Sequence, residues 1–145
     1  MTKSEYRDIY NIVGAAMEVH RVLGRGMEEA IYQEALFIEL HLRGIDAERE
    51  KPLHLNYKGV EMKKYYVADF VYNGIIVELK SVSEIIPEHR AQLFNYMRIT
   101  STHRGILINF GEKNLHSERY LYIPEEDDFV LLNESNYKQY IQENN

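Results

Sequence analysis

At 145 residues, 45% hydrophobic and 28% charged, the chain has the make-up of one globular domain, residues 1–145, able to bury a sizeable core. It contains no cysteine, which excludes disulfides and thiolate zinc sites and suits a reducing compartment. The net charge of −6 argues mildly against a nucleic-acid partner, because phosphate binding usually leaves a basic footprint. A local basic patch can still sit on an acidic protein, and Lys63, Lys64, Lys80, Arg90, Arg98 and Arg104 are its candidates.

The first residues lead straight into an amphipathic pattern with no secretion-signal core, and no apolar run approaches the ~20 residues of a membrane span. The expected location is the cytoplasm, with no membrane partner. Ser4 is placed to cap a first helix whose apolar positions Tyr6, Ile9, Val13, Ala16, Met17 and His20 follow helical spacing up to Leu23-Gly24. Gly24-Arg25-Gly26 breaks it, and a second helix is expected from about Met27 to Leu42, ended by Gly44.

Strand patterns follow at Ala47 to Tyr57, Lys63 to Tyr72 and Ile75 to Val82. Pro87 suits the first turn of a helix reaching Thr100. Arg104 to Phe110 reads as a short buried strand, and Arg119 to Ile123 as a further strand expected at an edge. Ser135 to Gln142 is a candidate terminal helix. The order αα-βββ-α-β-β, with a helix crossing between two strands, predicts an α/β fold with a central mixed sheet flanked by helices.

Asn73-Gly74 between two apolar runs is a strong hairpin signal, since a type I′ turn needs φ > 0 at both central residues. Counting outward from that turn, Asp69 lands opposite Glu78, and Lys80 shares a face with Glu78. One face then carries Val67, Asp69, Val71, Ile76, Glu78 and Lys80; the other carries Tyr66, Ala68, Phe70, Tyr72, Ile75, Val77 and Leu79. Like charges directly opposite destabilise a strand pair, and carboxylates in an apolar sheet are costly unless paired or metal-bound. The pattern points to a metal site. Asp69, Glu78 and the Leu79 carbonyl are its candidate ligands for a hard cation, Mg²⁺ or Mn²⁺, with Lys80 beside them to orient water or neutralise a transition state. A plainer reading is a solvated charge cluster in which Lys80 pairs with Glu78.

On the third helix, His89, Gln92 and Tyr96 fall on one stripe, while Ala91, Phe94 and Met97 can supply core contacts. Such a stripe can hold water or phosphate, although a lone Tyr96 would more often be a core residue with a satisfied hydroxyl. On the second helix Glu29 and Tyr32 lie one turn apart. An acid in a first turn is favoured by the helix dipole alone, so composition does not separate Glu29 from Glu28. The remaining histidines lack metal-ligand spacing, and neither a phosphate-cradling glycine loop nor a serine-hydrolase elbow is present.

The run Leu23 to Leu36, with Gly26, Glu29 and Tyr32 at the named positions, resembles the GxxExxY protein family. Ala68-Asp69-Phe70, Ile76 to Val82, His89 to Tyr96 and Gly105 to Gly111 are similar to its later blocks, in order. That family is placed in the PD-(D/E)XK nuclease superfamily. The resemblance implies a restriction-endonuclease-like core and hydrolysis of phosphodiester bonds, in DNA ahead of RNA, by water activated by Mg²⁺. It implies Asp69 and Glu78 as metal ligands, Lys80 as the catalytic lysine and Glu29 as an additional acid. Gln92-x3-Tyr96 is similar to the Gln-x3-Tyr motif that lines the site in the RecB/Cas4-like branch. Ala68 stands where the superfamily's name has proline. Cutting a duplex would call on a homodimer or protein partner, for which the 12 tyrosines leave room. The alternative is a catalytically inactive nucleic-acid-binding or protein-interaction module that retains the fold.

Overall fold

A computed structural model describes residues 1–142. The first helix, α1 (Lys3–Leu23), buries Ile9, Val13 and Ala16 as expected, but Ile12 and Val19 complete the stripe in place of Met17, which is exposed, and Tyr6 and His20, which are half-buried. Its cap is Thr2 and not Ser4: the Thr2 hydroxyl accepts the Glu5 N–H at 3.0 Å. The second helix, α2 (Glu29–Leu42), starts two residues later than expected because Glu28 is still extended.

The sheet has six strands in sequential order, β1 (Glu48–Tyr57), β2 (Val60–Tyr72), β3 (Ile75–Lys80), β4 (Arg104–Asn109), β5 (His116–Ile123) and β6 (Asp128–Leu132). All neighbours are antiparallel except β3 and β4, which are parallel and joined through α3 (Pro87–Thr100). The expected mixed α/β sheet is present. The β5 strand is interior, however, because β6 covers it; the residue pattern predicts an edge there and no sixth strand. The expected terminal helix is only a 3₁₀ turn over Tyr137–Tyr140.

Helices lie on both faces. On one side α1 and α2 close a core with Phe70, Val77, Leu79, Ile106 and Ile108. On the other, α3 presses Leu93, Tyr96 and Met97 onto Ala68, Ile76, Leu107 and Tyr120. Leu93 takes the place expected for Ala91, which is exposed.

The hairpin turn forms as predicted, with positive φ at both Asn73 and Gly74. The expected faces hold across the turn, with Phe70, Tyr72, Ile75, Val77 and Leu79 on one side and Val71 and Ile76 on the other, but they fail beyond Asp69. Ala68 packs on the α3 side while Phe70, two residues on, packs with α2. Strict alternation would put both on one face, so β2 twists at Asp69. Opposite, Glu50 of β1 sits in the left-handed region at φ 52°. This distortion positions the candidate site.

Candidate functional site

The β2–β3 ladder runs from Tyr72↔Ile75 to Phe70↔Val77 and stops one pair short of Asp69 and Glu78. Carboxylates take over its hydrogen bonds. Glu78 Oε1 accepts the Asp69 N–H at 3.0 Å, and Asp69 Oδ2 accepts the Leu79 N–H at 2.8 Å. The two acids are therefore not simply opposed side chains in a regular sheet. They stand in a gap between parting strands, each satisfying a backbone donor that the other strand leaves free. In an extended residue the C=O points the same way as the N–H, so the Leu79 carbonyl is turned toward this gap as well.

Burial makes the arrangement electrostatically expensive. Glu78 is 4% exposed. Desolvation first, and the Asp69 charge second, push its carboxyl well above the usual carboxylate range. Asp69 is also raised by burial, against the lowering effect of its bonds from Leu79 and Gln33. Glu29 is exposed over much of its length, yet its carboxyl is raised by desolvation and then by Asp69. Lys80 lowers all three. The four charged groups drawn from α2, β2 and β3 thus share one electrostatic neighbourhood. Among the described residues no three His, Asp or Glu side chains are grouped as an ion cage. The candidate remains a two-carboxylate site, with Glu29 at its margin.

Lys80 does not pair with Glu78 in the way the plainer reading supposed. Its Nζ donates to Gln92 Oε1 at 2.8 Å, and Gln92 Nε2 donates to the Tyr96 hydroxyl at 3.0 Å. An ammonium only donates, which fixes the orientation of the Gln92 amide. Tyr96 is a core residue, 5% exposed, and a member of this chain. Burial, followed by the Glu78 charge, raises its hydroxyl and keeps it protonated. His89 is not drawn in: its Nδ1 accepts the Ile86 N–H at 3.1 Å and caps α3.

Tyr32 of the Gly26-Glu29-Tyr32 run is fully buried and stacks on Phe110 with ring centroids 4.5 Å apart. Its hydroxyl donates to the Gly24 carbonyl at 2.6 Å and accepts the Met27 N–H at 3.2 Å. This tyrosine ties down the glycine loop that delivers Glu29 to the head of α2. It is not a site residue itself.

Two contributors carry little signal in the sequence. Gln33 donates to Asp69 Oδ1 at 2.7 Å and accepts from Arg49 Nε at 2.9 Å, so an Arg49–Gln33–Asp69 chain aims the carboxylate. Its only sequence signal is a place four residues after Glu29, on the same helix face. Asn109, 0% exposed, accepts from the Val82 and Gly111 N–H groups and holds the chain just beyond Lys80. A cavity of about 770 Å³ lined by Lys3, Tyr6, Arg7, Tyr10, Tyr137, Lys138 and Ile141 contains none of these residues.

No helix among the described residues is long and apolar enough to cross a membrane. The fold is similar to that of SSO0001, known from a crystal structure, with a TM-score of 0.50 at 23% identity over 63% of this chain. The chain spans about half the length of that protein, 48% of it. No match was found among curated proteins. A family model described as the PD-(D/E)XK nuclease superfamily matches residues 6–120, which takes in every residue of the carboxylate gap and most of the chain. The protein belongs to the PD-(D/E)XK nuclease superfamily, whose members are generally hydrolytic nucleases that typically use divalent metals such as Mg²⁺.

Proposed function

We propose that this protein is a divalent-metal-dependent nuclease that hydrolyses phosphodiester bonds in DNA, ahead of RNA. The observation that carries this reading is the broken ladder, where a fold gives up a strand pair to keep Asp69 and Glu78 beside Lys80. The oxygen-only donor set of Asp69, Glu78 and the Leu79 carbonyl suits a hard cation such as Mg²⁺ or Mn²⁺. So does the excess of buried negative charge that one lysine leaves. When bound there, such a cation would supply Lewis acidity toward water and offset charge developing on the phosphoryl group.

The chain's own residues do the positioning. Gln92, itself held by Tyr96, takes one N–H of the Lys80 ammonium. The other two remain for the attacking water or a phosphoryl oxygen. Gln33 and the Leu79 N–H fix the plane of the Asp69 carboxylate. Glu29 adds a carboxylate at the edge of the same field. Attack of water in line with the leaving oxygen breaks the P–O bond and leaves a phosphate and a hydroxyl end.

Membership of the GxxExxY family and the Gln-x3-Tyr branch belongs to the same proposal, supported by Gly26, Glu29, Tyr32, Gln92 and Tyr96. So does action as one domain in the cytoplasm, which the lack of cysteine suits. The test is incubation of labelled single- and double-stranded DNA and RNA with Mn²⁺ or Mg²⁺. Wild type should cleave, with DNA the better substrate. Lys80→Ala and Asp69→Asn should lose at least a hundredfold in rate. Cleavage by both variants at the wild-type rate would overturn the proposal.

A further inference from the structure

The ladder between β2 and β3 ends at Phe70, yet β2 continues back to Val60 paired with β1 alone. The two strands therefore leave the sheet as a ribbon. They leave at the end where β3 carries Glu78 and Lys80, and Val60 to Tyr66 alone spans ~20 Å at ~3.3 Å per residue. Charge is segregated onto this ribbon. Residues 51–67 carry Lys51, Lys58, Lys63 and Lys64 against Glu61, a net of +3 in a protein of net −6. Lys51 is paired with Glu48 at 2.8 Å. Lys58, Lys63 and Lys64 have no carboxylate within salt-bridge distance among the described residues.

The foot of the ribbon faces α3. Ala68 and Leu53 belong to the α3-side core, and Leu53 pairs with Tyr66. The β1–β2 register shifts between His54 and Asn56, before Tyr57 pairs with Val60; inward of that bulge Tyr66, opposite Leu53, lies on the α3 face. This is the face of Lys80 and Gln92. Tyr66 meets Tyr96 with ring centroids 5.1 Å apart, so the strip begins at the candidate site. Farther out, Tyr57 is 64% exposed, and Lys58 Nζ lies 5.6 Å from the centre of its ring. Exposed tyrosines alternating with unpaired lysines form the surface that tracks an unpaired nucleic-acid strand, the rings stacking on bases and the ammonium groups following phosphates. A duplex hides its base faces and would leave the tyrosines idle.

We infer that the β1–β2 ribbon is a rail for single-stranded nucleic acid, holding the few nucleotides adjacent to the scissile phosphate through Tyr66, Lys64, Tyr57 and Lys58. The inference rests on the nuclease reading for its direction, because it places the cut at the foot of the ribbon. The rail itself is read by binding without turnover.

The experiment is fluorescence anisotropy of a labelled 20-nucleotide oligothymidylate in EDTA. Lys58→Gln/Lys64→Gln should bind at least fivefold more weakly than wild type. Its slope of log affinity against log salt should be shallower by about 0.7 for each phosphate no longer neutralised. Tyr57→Ser should weaken binding about tenfold, as loss of one stacked base does, and leave the salt slope alone. A duplex of the same length should bind wild type more weakly than the single strand. The three substituted positions are exposed, and unchanged thermal midpoints check that the variants fold. Equal affinity and salt slope in wild type and all variants would overturn the rail. A concentration-dependent dimer dissolved by Tyr57→Ser, with oligonucleotide affinity unchanged, would overturn it in favour of a second copy of the chain. The two readings fail separately: metal-dependent cleavage with no ribbon effect removes the rail alone. Ribbon-dependent binding without cleavage by wild type removes the nuclease reading alone.

Discussion

Glu78 shows what the site does to the protein that carries it. Its carboxyl is buried, raised by desolvation and by Asp69, and useful to the backbone only through one oxygen that accepts the Asp69 N–H. Glu78→Gln keeps that acceptor and removes the charge. At neutral pH the variant should gain about 1 kcal/mol, within the usual range for stabilising changes. For a chain of this size that raises the melting midpoint by roughly 2–4 °C. The same change should abolish metal-dependent cleavage. Added Mg²⁺ or Mn²⁺ should raise the midpoint of wild type more than that of the variant. Scanning calorimetry with and without the cation checks both, and a lower midpoint for the variant would show that the charge is compensated in the fold. Gln33 and Tyr66 belong to this scale too, and neither role is visible in the sequence. Each acts through a partner, Asp69 or Tyr96, that is distant along the chain and close only after α2 and α3 have docked on the sheet.

At the scale of elements, legibility follows the range of the forces. The Asn73-Gly74 turn, the Pro87 start of α3 and the apolar run of β4 are local signals, and all three stand where the residues put them. The face switch at Asp69 is not legible, because counting in twos assumes an unbroken ladder and this one breaks where the carboxylates replace it. Strand β6 is hidden because its apolar run is only Phe129 to Leu132, next to the acidic turn Glu125 to Asp128, and pairing with β5 is what makes it a strand. The close of β3 against β4 depends on an approach that the sequence marks only as a glycine. A Cβ on Gly111 would fall 2.2 Å from the Val82 carbonyl oxygen and 2.5 Å from its nitrogen, both backbone atoms with no rotamer to escape into. Gly111→Ala should therefore destabilise by about 1–3 kcal/mol, the usual range for forced overpacking. It should also slow cleavage, since Val82 lies two residues beyond Lys80. Chemical denaturation reads the first effect, and an unchanged transition midpoint would show that the loop relaxes freely.

Across the whole molecule, two sets of carboxylates oppose each other in their dependence on pH. Asp69 and Glu78 are raised on folding, so the folded state holds their protons at pH values where the unfolded chain has lost them. Their contribution therefore weakens the fold as pH climbs from the ordinary carboxylate range toward neutrality. Glu118 acts in the other direction. It lies on β5, 6% exposed, and receives Arg90 of α3 through two bonds at 2.7 and 2.8 Å. The Tyr120 hydroxyl at 2.5 Å and His116 Nε2 at 2.7 Å complete its surroundings. The Arg90 hydrogen bonds, followed by those of Tyr120 and His116, hold its carboxyl down at about 2. A depressed folded pKa means that the stabilisation is fully present above the unfolded value near 4.5 and is lost as pH falls toward 2. The pair also has a position to defend. It pins α3 to β5 two residues before Gln92, whose amide holds Lys80. Glu118→Gln should cost about 1–3 kcal/mol at pH 7, the scale of hydrogen bonds to a charged group. It should also weaken cleavage by loosening the helix that steers Lys80. The difference in unfolding free energy between wild type and Glu118→Gln isolates this carboxyl, because Asp69 and Glu78 are common to both. That difference should be flat from pH 7 to about 5 and shrink from about 4.5 toward 2. A difference that stayed constant down to pH 2 would show that Glu118 stabilises the α3–β5 contact by shape and not by charge.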